Sequence, residues 1–359
     1  MVGYMSETSS VIIRTSGSVG RITLNRPEAL HALTEEMCLA MYEALKSWEN
    51  DDRIGLVLVD HARDTRGFCA GGDIRMMAAS GQGDGVDVMK FLAAEYRLNA
   101  LIKRFPKPYV SIMDGVTMGG GVGISVHGSH RIATENTLFA MPECGIGLFP
   151  DVGGGWFLPR LKGEIGMWLA LTGARVRGSD VKLIGVATDY VPVELVRNLV
   201  AQIESADFTF EAPQMLESII GPRRKPVVGH FLADDLKTLN HCFAGDSVEE
   251  IMERLEADGS DWALAQIKIL SERSPLTLKI AHRQLREGAA MTDFGENMKM
   301  EYRIAWRQVR DPDFHEGVRA VIIDKDHKPL WPSRNLESVS ENQLNEIFST
   351  ISENELSLQ

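Results

Sequence analysis

The sequence predicts an α/β fold, on three observations. Strand-like and helix-like patterns alternate through the first half of the chain. The strand candidates Ile54–Val59 and Tyr109–Met113 are near-continuous apolar runs, as expected for strands covered on both faces. After Asp207 the strand signals fade and helical patterns take over.

Taken in order, Val11–Thr15 and Val19–Leu24 alternate around Ser16-Gly17-Ser18, which predicts a hairpin. The loop LNRPEALHAL, Leu24–Leu33, follows. Thr34 is placed to cap a helix with Glu35 and Glu36 in its first turn. Met37, Ala40, Met41, Ala44, Leu45 and Trp48 then recur at helical spacing on one face. Arg66–Met77, RGFCAGGDIRMM, leads from a glycine pair into a helix. Gly81–Gly85 reads as a flexible surface loop. Val88–Phe105 reads as a helix with Phe91, Tyr96 and Leu98 among its apolar positions, ending in a solvated basic patch of Lys103, Arg104 and Lys107. The Tyr109–Met113 strand precedes Gly119-Gly120-Gly121, and Val122–Val126 is apolar enough to start a buried helix. Strand, helix, strand in succession implies right-handed crossovers and one sheet.

The stretch Ala140–Leu161 is a loop dense in glycine, proline and acids. Glu164–Leu171 is helical and ends near Gly173, Ser179 caps a short helix, and Ala187–Val191 reads as an edge strand. Phe208–Arg224 reads as a linker region. Helical segments follow at Ser247–Ala257, Ser260–Arg273, Pro275–Gly288, Asp293–Val309 and Phe314–Asp324. The expected organisation is a core over 1–206, a helical region over 207–340, and a weakly ordered tail over 341–359 holding one short helix.

Composition narrows the function. The chain has 359 residues, 44% hydrophobic and 25% charged, which suits a globular protein with a large core. A net charge of -12 argues against nucleic acid as a bulk partner. No apolar stretch approaches the roughly 18 residues that span a membrane. Cys38, Cys69, Cys144 and Cys242 show no paired metal spacing and read as reduced thiols. The N-terminus lacks an apolar signal core and an Arg-rich amphipathic pattern, so the expected location is the cytoplasm. A homo-oligomer is left open.

Two glycine-to-helix turns, Ala70-Gly71-Gly72 and Gly119-Gly120-Gly121, each follow a strand. Glycine lets another backbone or a ligand come close, and first-turn amides lack internal acceptors. Their natural guest is a negative oxygen. The phosphate-loop and dinucleotide fingerprints are absent, since no Gly-Lys-Ser/Thr follows and the glycine spacing is wrong. Two amides converging on one carbonyl oxygen would stabilise an oxyanion. The alternative is plain helix-on-sheet packing.

Backbone donors move no protons, so a carboxylate is needed. Glu143 and Asp151 are the candidates, and unlike environments would give such a pair unlike proton affinities. Asp151 as a helix cap and Glu143 as a solvated turn residue are the alternatives. His127 and His130 lack a third placed metal ligand, and Ser125 and His127 are two apart on a helix, so they do not face each other. Cys69 and Cys144 read as small buried hydrophobes.

In sequence order, LNRPEALHAL, FCAGGDI, DGVTMGGGVGISVHG and MPECGIGLFPDVGGGWFLPRL resemble the crotonase (enoyl-coenzyme A hydratase/isomerase) superfamily, over Val11–Pro192. Within it the chain is most similar to the thioester-hydrolase branch acting on short branched 3-hydroxyacyl-coenzyme A. That similarity rests on EYRLN (Glu95–Asn99), on the Glu143/Asp151 pair with its GLFPDVGGG setting, and on DFHEGVRAVIIDKDHKPLW (Asp313–Trp331).

The resemblance implies a crotonase-like spiral of ββα turns with a C-terminal helical region. It implies hydrolysis of 3-hydroxyisobutyryl-coenzyme A in valine breakdown, with no cofactor beyond the coenzyme A carried by the substrate and no metal. The thioester oxygen would sit between the N–H groups of Gly72 and Gly120. Arg26, Leu30 and Ala32, with Ala70, Gly72, Asp73 and Ile74, would bind the adenine-nucleotide part, and Arg26 and Arg75 would neighbour its phosphates. Glu143 would be the main catalytic carboxylate, as nucleophile or as base for water. Asp151 would orient the substrate hydroxyl or share proton transfer, and Glu95 would lie near the acyl end.

One departure bears on the subclass. Hydratases of the superfamily carry a glutamate where this chain has Gly123. Hydration of a double bond needs both a base and an acid, whereas thioester hydrolysis tolerates the loss. A hydratase or isomerase using Asp151 instead, and a non-catalytic acyl-coenzyme A binding subunit, are the competing expectations.

Overall fold

The computed structural model describes residues 9–227, 234–351 and 354–358. The N-terminal residues 1–8 and part of the tail, on which expectations had been placed, lie outside them. The chain divides into two compact units, Met1–Gly72 with Arg97–Phe139 and Val176–Gly229, and Asp73–Tyr96 with Ala140–Arg175 and His230–Gln359. Each is assembled from three separated segments, so the division cuts across the sequential blocks 1–206, 207–340 and 341–359.

In chain order the elements that place the functional residues are β1 (Val11–Ser16), β2 (Val19–Leu24), α1 (Glu35–Glu49), β3 (Leu56–His61), β4 (Gly67–Cys69), α2 (Ile74–Gln82), α3 (Val86–Arg104), β5 (Tyr109–Met113), β6 (Val116–Met118), α4 (Gly120–Gly123), β7 (His130–Ala133), β8 (Leu138–Ala140), α5 (Gly154–Phe157), β9 (Val176–Arg177) and β10 (Asp189–Tyr190). A six-stranded sheet runs β1-β2-β3-β5-β7-β10. The β1–β2 hairpin is antiparallel, and every later pairing in this sheet is parallel. A second, four-stranded sheet runs β4-β6-β8-β9.

The first unit holds both sheets, apart from Ala140 at the end of β8. Thr34 caps α1, its side chain accepting from the Met37 N–H. Met37, Met41, Ala44, Leu45 and Trp48 are buried as the spacing requires, with Cys38 buried as well. The helix packs close because β2 offers Gly20, where a Cβ would lie 2.5 Å from the Trp48 ring. β3 and β5 are buried almost throughout, which explains their unbroken apolar sequence. β10 is one edge strand of the six-stranded sheet and β1 the other.

Phe208–Arg224 is not a linker. Ala212–Ile220 forms a helix, and Phe208, Leu216, Ile219 and Ile220 join a core with Val19, Leu58 and Ile112. Phe208 docks so closely that a Cβ on Gly55 would stand 1.9 Å from its carbonyl oxygen. The amphipathic spacing of Leu216, Ile219 and Ile220 is the signal that the polar flanks obscured.

The second unit is mainly helical. Gly81 belongs to α2 rather than to a surface loop, and a Cβ there would meet the Val309 carbonyl oxygen at 2.0 Å. Glycine is chosen at that point for backbone contact, not for flexibility. Later helices span Val248–Asp258, Asp261–Ser271, Pro275–Ala290, Phe294–Gln308 and Pro312–Val318, the last continuing as a π-turn over Arg319–Ile323. Glu341–Phe348 is a further helix burying Leu344, Ile347 and Phe348.

Candidate active site

In the first unit the two glycine turns come together because their preceding strands pair. These are β4 and β6 of the smaller sheet, parallel with Cys69 opposite Thr117, not the longer strands β3 and β5 to which the sequence had tied them. Both turns therefore leave the same, C-terminal edge of adjacent parallel strands, the usual ligand edge of such sheets. A Cβ on Gly71 would lie 3.8 Å from the Gly120 nitrogen. Gly71 and Gly119 sit at φ +120° and +47°, which favours glycine. Gly121 allows the closest approach, since a Cβ there would stand 2.3 Å from the Cys69 carbonyl oxygen.

Gly119 is the N-cap of α4 and Gly120 its first residue, so the Gly120 N–H has no acceptor within the helix. The helix is a single turn, shorter than the apolar run Val122–Val126 suggested. Ser125 is engaged with the turn itself, its hydroxyl donating to the Gly121 carbonyl at 2.7 Å.

The Leu24–Leu33 loop docks on the first glycine turn. The Leu33 N–H donates to Gly71 O at 2.7 Å and the Ala70 N–H to Leu30 O at 3.0 Å. Leu30 and His31 adopt positive φ of 48° and 58°. His31 holds that bend: it accepts from the Arg26 N–H at Nδ1 (2.9 Å) and meets Thr65 Oγ1 at Nε2 (2.9 Å). Burial, with His61 beside it, lowers its pKa to about 4, so it stays neutral. Arg26 spends one guanidinium N–H on Ala32 O at 3.0 Å. Arg26, Leu30, Ala32, Ala70, Gly72 and Gly120 thus all lie in this unit.

Asp73 and Ile74 open α2 in the second unit, where the Asp73 carboxylate caps the helix by accepting from the Met76 N–H. The Arg75 guanidinium donates to Ile322 O at 3.1 Å.

The second unit also gathers the three acids. Glu95 lies on α3, Glu143 opens the 3-10 turn Glu143–Ile146, and Asp151 precedes α5. They are 2%, 6% and 6% exposed, so none is a solvated turn residue. Asp151 is not the helix cap either, because Gly153 holds that place. Among the described residues, Glu143 Oε2 and Glu95 Oε1 are buried without a hydrogen-bond partner. A buried polar atom left so costs free energy and calls for a functional explanation.

Electrostatics separates the three. Burial raises the Glu143 carboxyl well above its ordinary value, and the Asp151 charge adds to this. Burial raises Glu95 likewise, with Asp151 and then Glu143 adding to it. Burial pushes Asp151 up only to about 6, because the Tyr96 hydroxyl donates to its Oδ2 at 2.9 Å and favours the anion. Three acids so coupled titrate as a group.

Sequence reasoning missed the residues that support this cluster. Tyr96 had been counted as an apolar helix position, yet its hydroxyl binds Asp151 and its ring stacks edge-on against Tyr302 at 6.2 Å. Glu301, fully buried, accepts from the Gly153 and Gly155 amides at 2.7 and 2.9 Å. The available signal was polar residues on an apolar stripe: Asn297, Glu301 and Gln308 share the buried face of their helix with Phe294, Met298 and Ile304.

The family model for enoyl-CoA hydratase/isomerase matches residues 19–348. The chain belongs to the enoyl-CoA hydratase/isomerase family. It is 45% identical over 357 residues to the mitochondrial 3-hydroxyisobutyryl-CoA hydrolase of Danio rerio, covering 98% of this chain and 92% of that protein. Among solved structures it resembles a carnitinyl-CoA dehydratase from Mycobacterium thermoresistibile, at 35% identity and TM-score 0.91 over 98% of this chain and 99% of that one. It also resembles an enoyl-CoA hydratase from Rhodobacter sphaeroides 2.4.1, at 39% identity and TM-score 0.87 over 97% and 100%. The fold is therefore that of the crotonases, with added C-terminal helices.

The curated relatives are named mitochondrial, which overturns the cytoplasmic expectation. That expectation had rested on the absence of a leader pattern in the N-terminal residues, and such an absence decides no compartment; four free, buried cysteines do not separate one reducing compartment from another either.

Proposed function

We propose that the chain hydrolyses 3-hydroxyisobutyryl-CoA, or a close short branched 3-hydroxyacyl-CoA, to the free acid and coenzyme A. The observation that carries this reading is Glu143, a buried carboxyl with one oxygen unpartnered and a raised proton affinity. Such a group is costly to keep unless a substrate completes its bonding. The relatives named as 3-hydroxyisobutyryl-CoA hydrolase supply the substrate class.

In this reading the Gly72 and Gly120 amides donate to the thioester oxygen and stabilise the charge that develops on it. Each such donor contributes roughly 2.7–4 kcal/mol by enzyme precedent. Glu143 supplies the attacking pair, as nucleophile giving a mixed anhydride or as base for water, and the C–S bond breaks to release coenzyme A thiolate. In the first route water then opens the anhydride, and trapping with hydroxylamine marks that route. Asp151, kept anionic by Tyr96, accepts from the substrate hydroxyl, and Glu95 borders the acyl end. The Leu24–Leu33 loop and Ala70–Ile74 bind the nucleotide. The coenzyme A is part of the substrate, and the chemistry needs no further cofactor.

The solved relatives named as dehydratase and hydratase motivate a second reading, addition of water to an enoyl-CoA. Gly123 opposes it, since α4 carries no side chain where the family's hydratases hold their glutamate. A free-thiol assay on 3-hydroxyisobutyryl-CoA, run beside crotonyl-CoA hydration, decides. Thiol release without hydration supports the hydrolase; hydration without thiol release refutes it.

A further inference from the structure

Val152, immediately after Asp151, has φ +51°, and Gly153 follows at φ +88°. For a β-branched residue this is a strained conformation, of a kind that persists only where surrounding structure imposes it. The restraints are visible on both sides. The Gln284 side-chain amide donates to Pro150 O at 2.8 Å. The Gly153 and Gly155 amides donate to Glu301, at 2.7 Å to Oε2 and 2.9 Å to Oε1. Glu301 Oε1 also accepts from Gln284 Nε2 at 3.2 Å and Asn297 Nδ2 at 2.9 Å. Among the described residues, four donors and no acceptor meet this carboxyl group; their hydrogen bonds favour its anion, while its burial favours the acid.

The fit is tight. A Cβ on Gly155 would meet Asn297 Oδ1 at 2.8 Å, and one on Gly288 would meet Gly155 O at 2.0 Å. Burial pushes Glu301 up to about 8, with the Gly153 amide opposing and the Asp151 charge adding. A buried acid carrying that cost is better explained by what it holds than by stability alone.

We propose that Glu301 is a positioning residue for the reaction, clamping the strained Pro150–Gly155 segment so that Asp151 is presented in its working orientation. It touches no substrate and acts through the loop. The inference rests on the hydrolase reading, in which Asp151 binds the substrate hydroxyl. Without the clamp, Val152 relaxes to negative φ and carries Asp151 away from the Tyr96 hydroxyl.

The test is Glu301→Gln in the full chain, read by kcat and KM for thiol release and by amide hydrogen exchange over 150–157. A glutamine turns an N–H group toward one of the two glycine amides. The expected result is a kcat lowered by about tenfold or more with KM changed little, since small misplacements of a working group cost rates of that order. Faster exchange at Gly153 and Gly155 is expected with it. Adding Val152→Gly, which adopts positive φ without strain, should recover part of the lost kcat. If Glu301→Gln does not fold, Gln284→Met removes the donors to Pro150 O and Glu301 at similar volume and should shift both readouts in the same directions.

Wild-type kcat and unchanged exchange in a folded variant would overturn the proposal. If the wild-type chain releases no thiol at all, the hydrolase reading fails, and the exchange data still decide whether Glu301 holds the loop.

Discussion

Tyr96→Phe removes one oxygen from a fully buried ring and leaves the edge-on packing against Tyr302 in place. What it deletes is the 2.9 Å hydrogen bond to Asp151 Oδ2. A hydrogen bond to a charged group is worth about 1.5–3 kcal/mol. At about 1.4 kcal/mol per pKa unit, Asp151 should rise by about one to two units from its value of about 6. If hydrolysis needs the Asp151 anion, the acid limb of kcat/KM for thiol release moves upward by the same amount. Stability follows the same sign. A carboxyl with a raised folded pKa loses stability as pH rises from its unfolded to its folded value, so the variant extends that loss beyond pH 6. The assay is a pH–rate profile between pH 5 and 9, with thermal unfolding at matched pH. An acid limb at the wild-type position, in a folded variant, would refute the assignment of Asp151 to the chemistry.

Other substitutions probe separate parts of the account. Gly120→Pro removes the first N–H donor of α4, so kcat should fall by about 10²–10³ in a folded variant. Burial chiefly raises Glu143 and Glu95 and the Asp151 charge adds to it, so Asp151→Asn should move the acid limb of any residual activity to lower pH. Gly121→Ala forces a Cβ to 2.3 Å from Cys69 O and should lower both melting temperature and kcat, because backbone on both sides must part.

Much of the candidate site was legible because its residues lie on short contiguous motifs. Gly71, Gly119 and Gly121 are needed for positive φ or close approach, and those demands write glycine into the sequence whatever the fold around them. Glu143 and Asp151 stand within one glycine-rich loop. The supports were harder to read for the opposite reason: Glu301 acts on amides 146 and 148 residues away, and its place on an apolar helix stripe marks it as buried without saying what it holds. Strands β4 and β6 escaped notice because three residues carry no measurable periodicity. The same limit hid the interleaved units, since a contact between segments far apart in sequence leaves no composition shift at a boundary.

The central claim is that Glu143 attacks, or activates water against, a coenzyme A thioester. Comparison of wild-type and Glu143→Gln turnover of 3-hydroxyisobutyryl-CoA, followed by free thiol, tests it most directly. The substitution keeps the volume of the buried side chain and removes its basicity. Thiol release by the wild type, with loss of nearly all of it in a variant that still binds the substrate, is the predicted result; a variant that turns over at the wild-type rate would contradict the account.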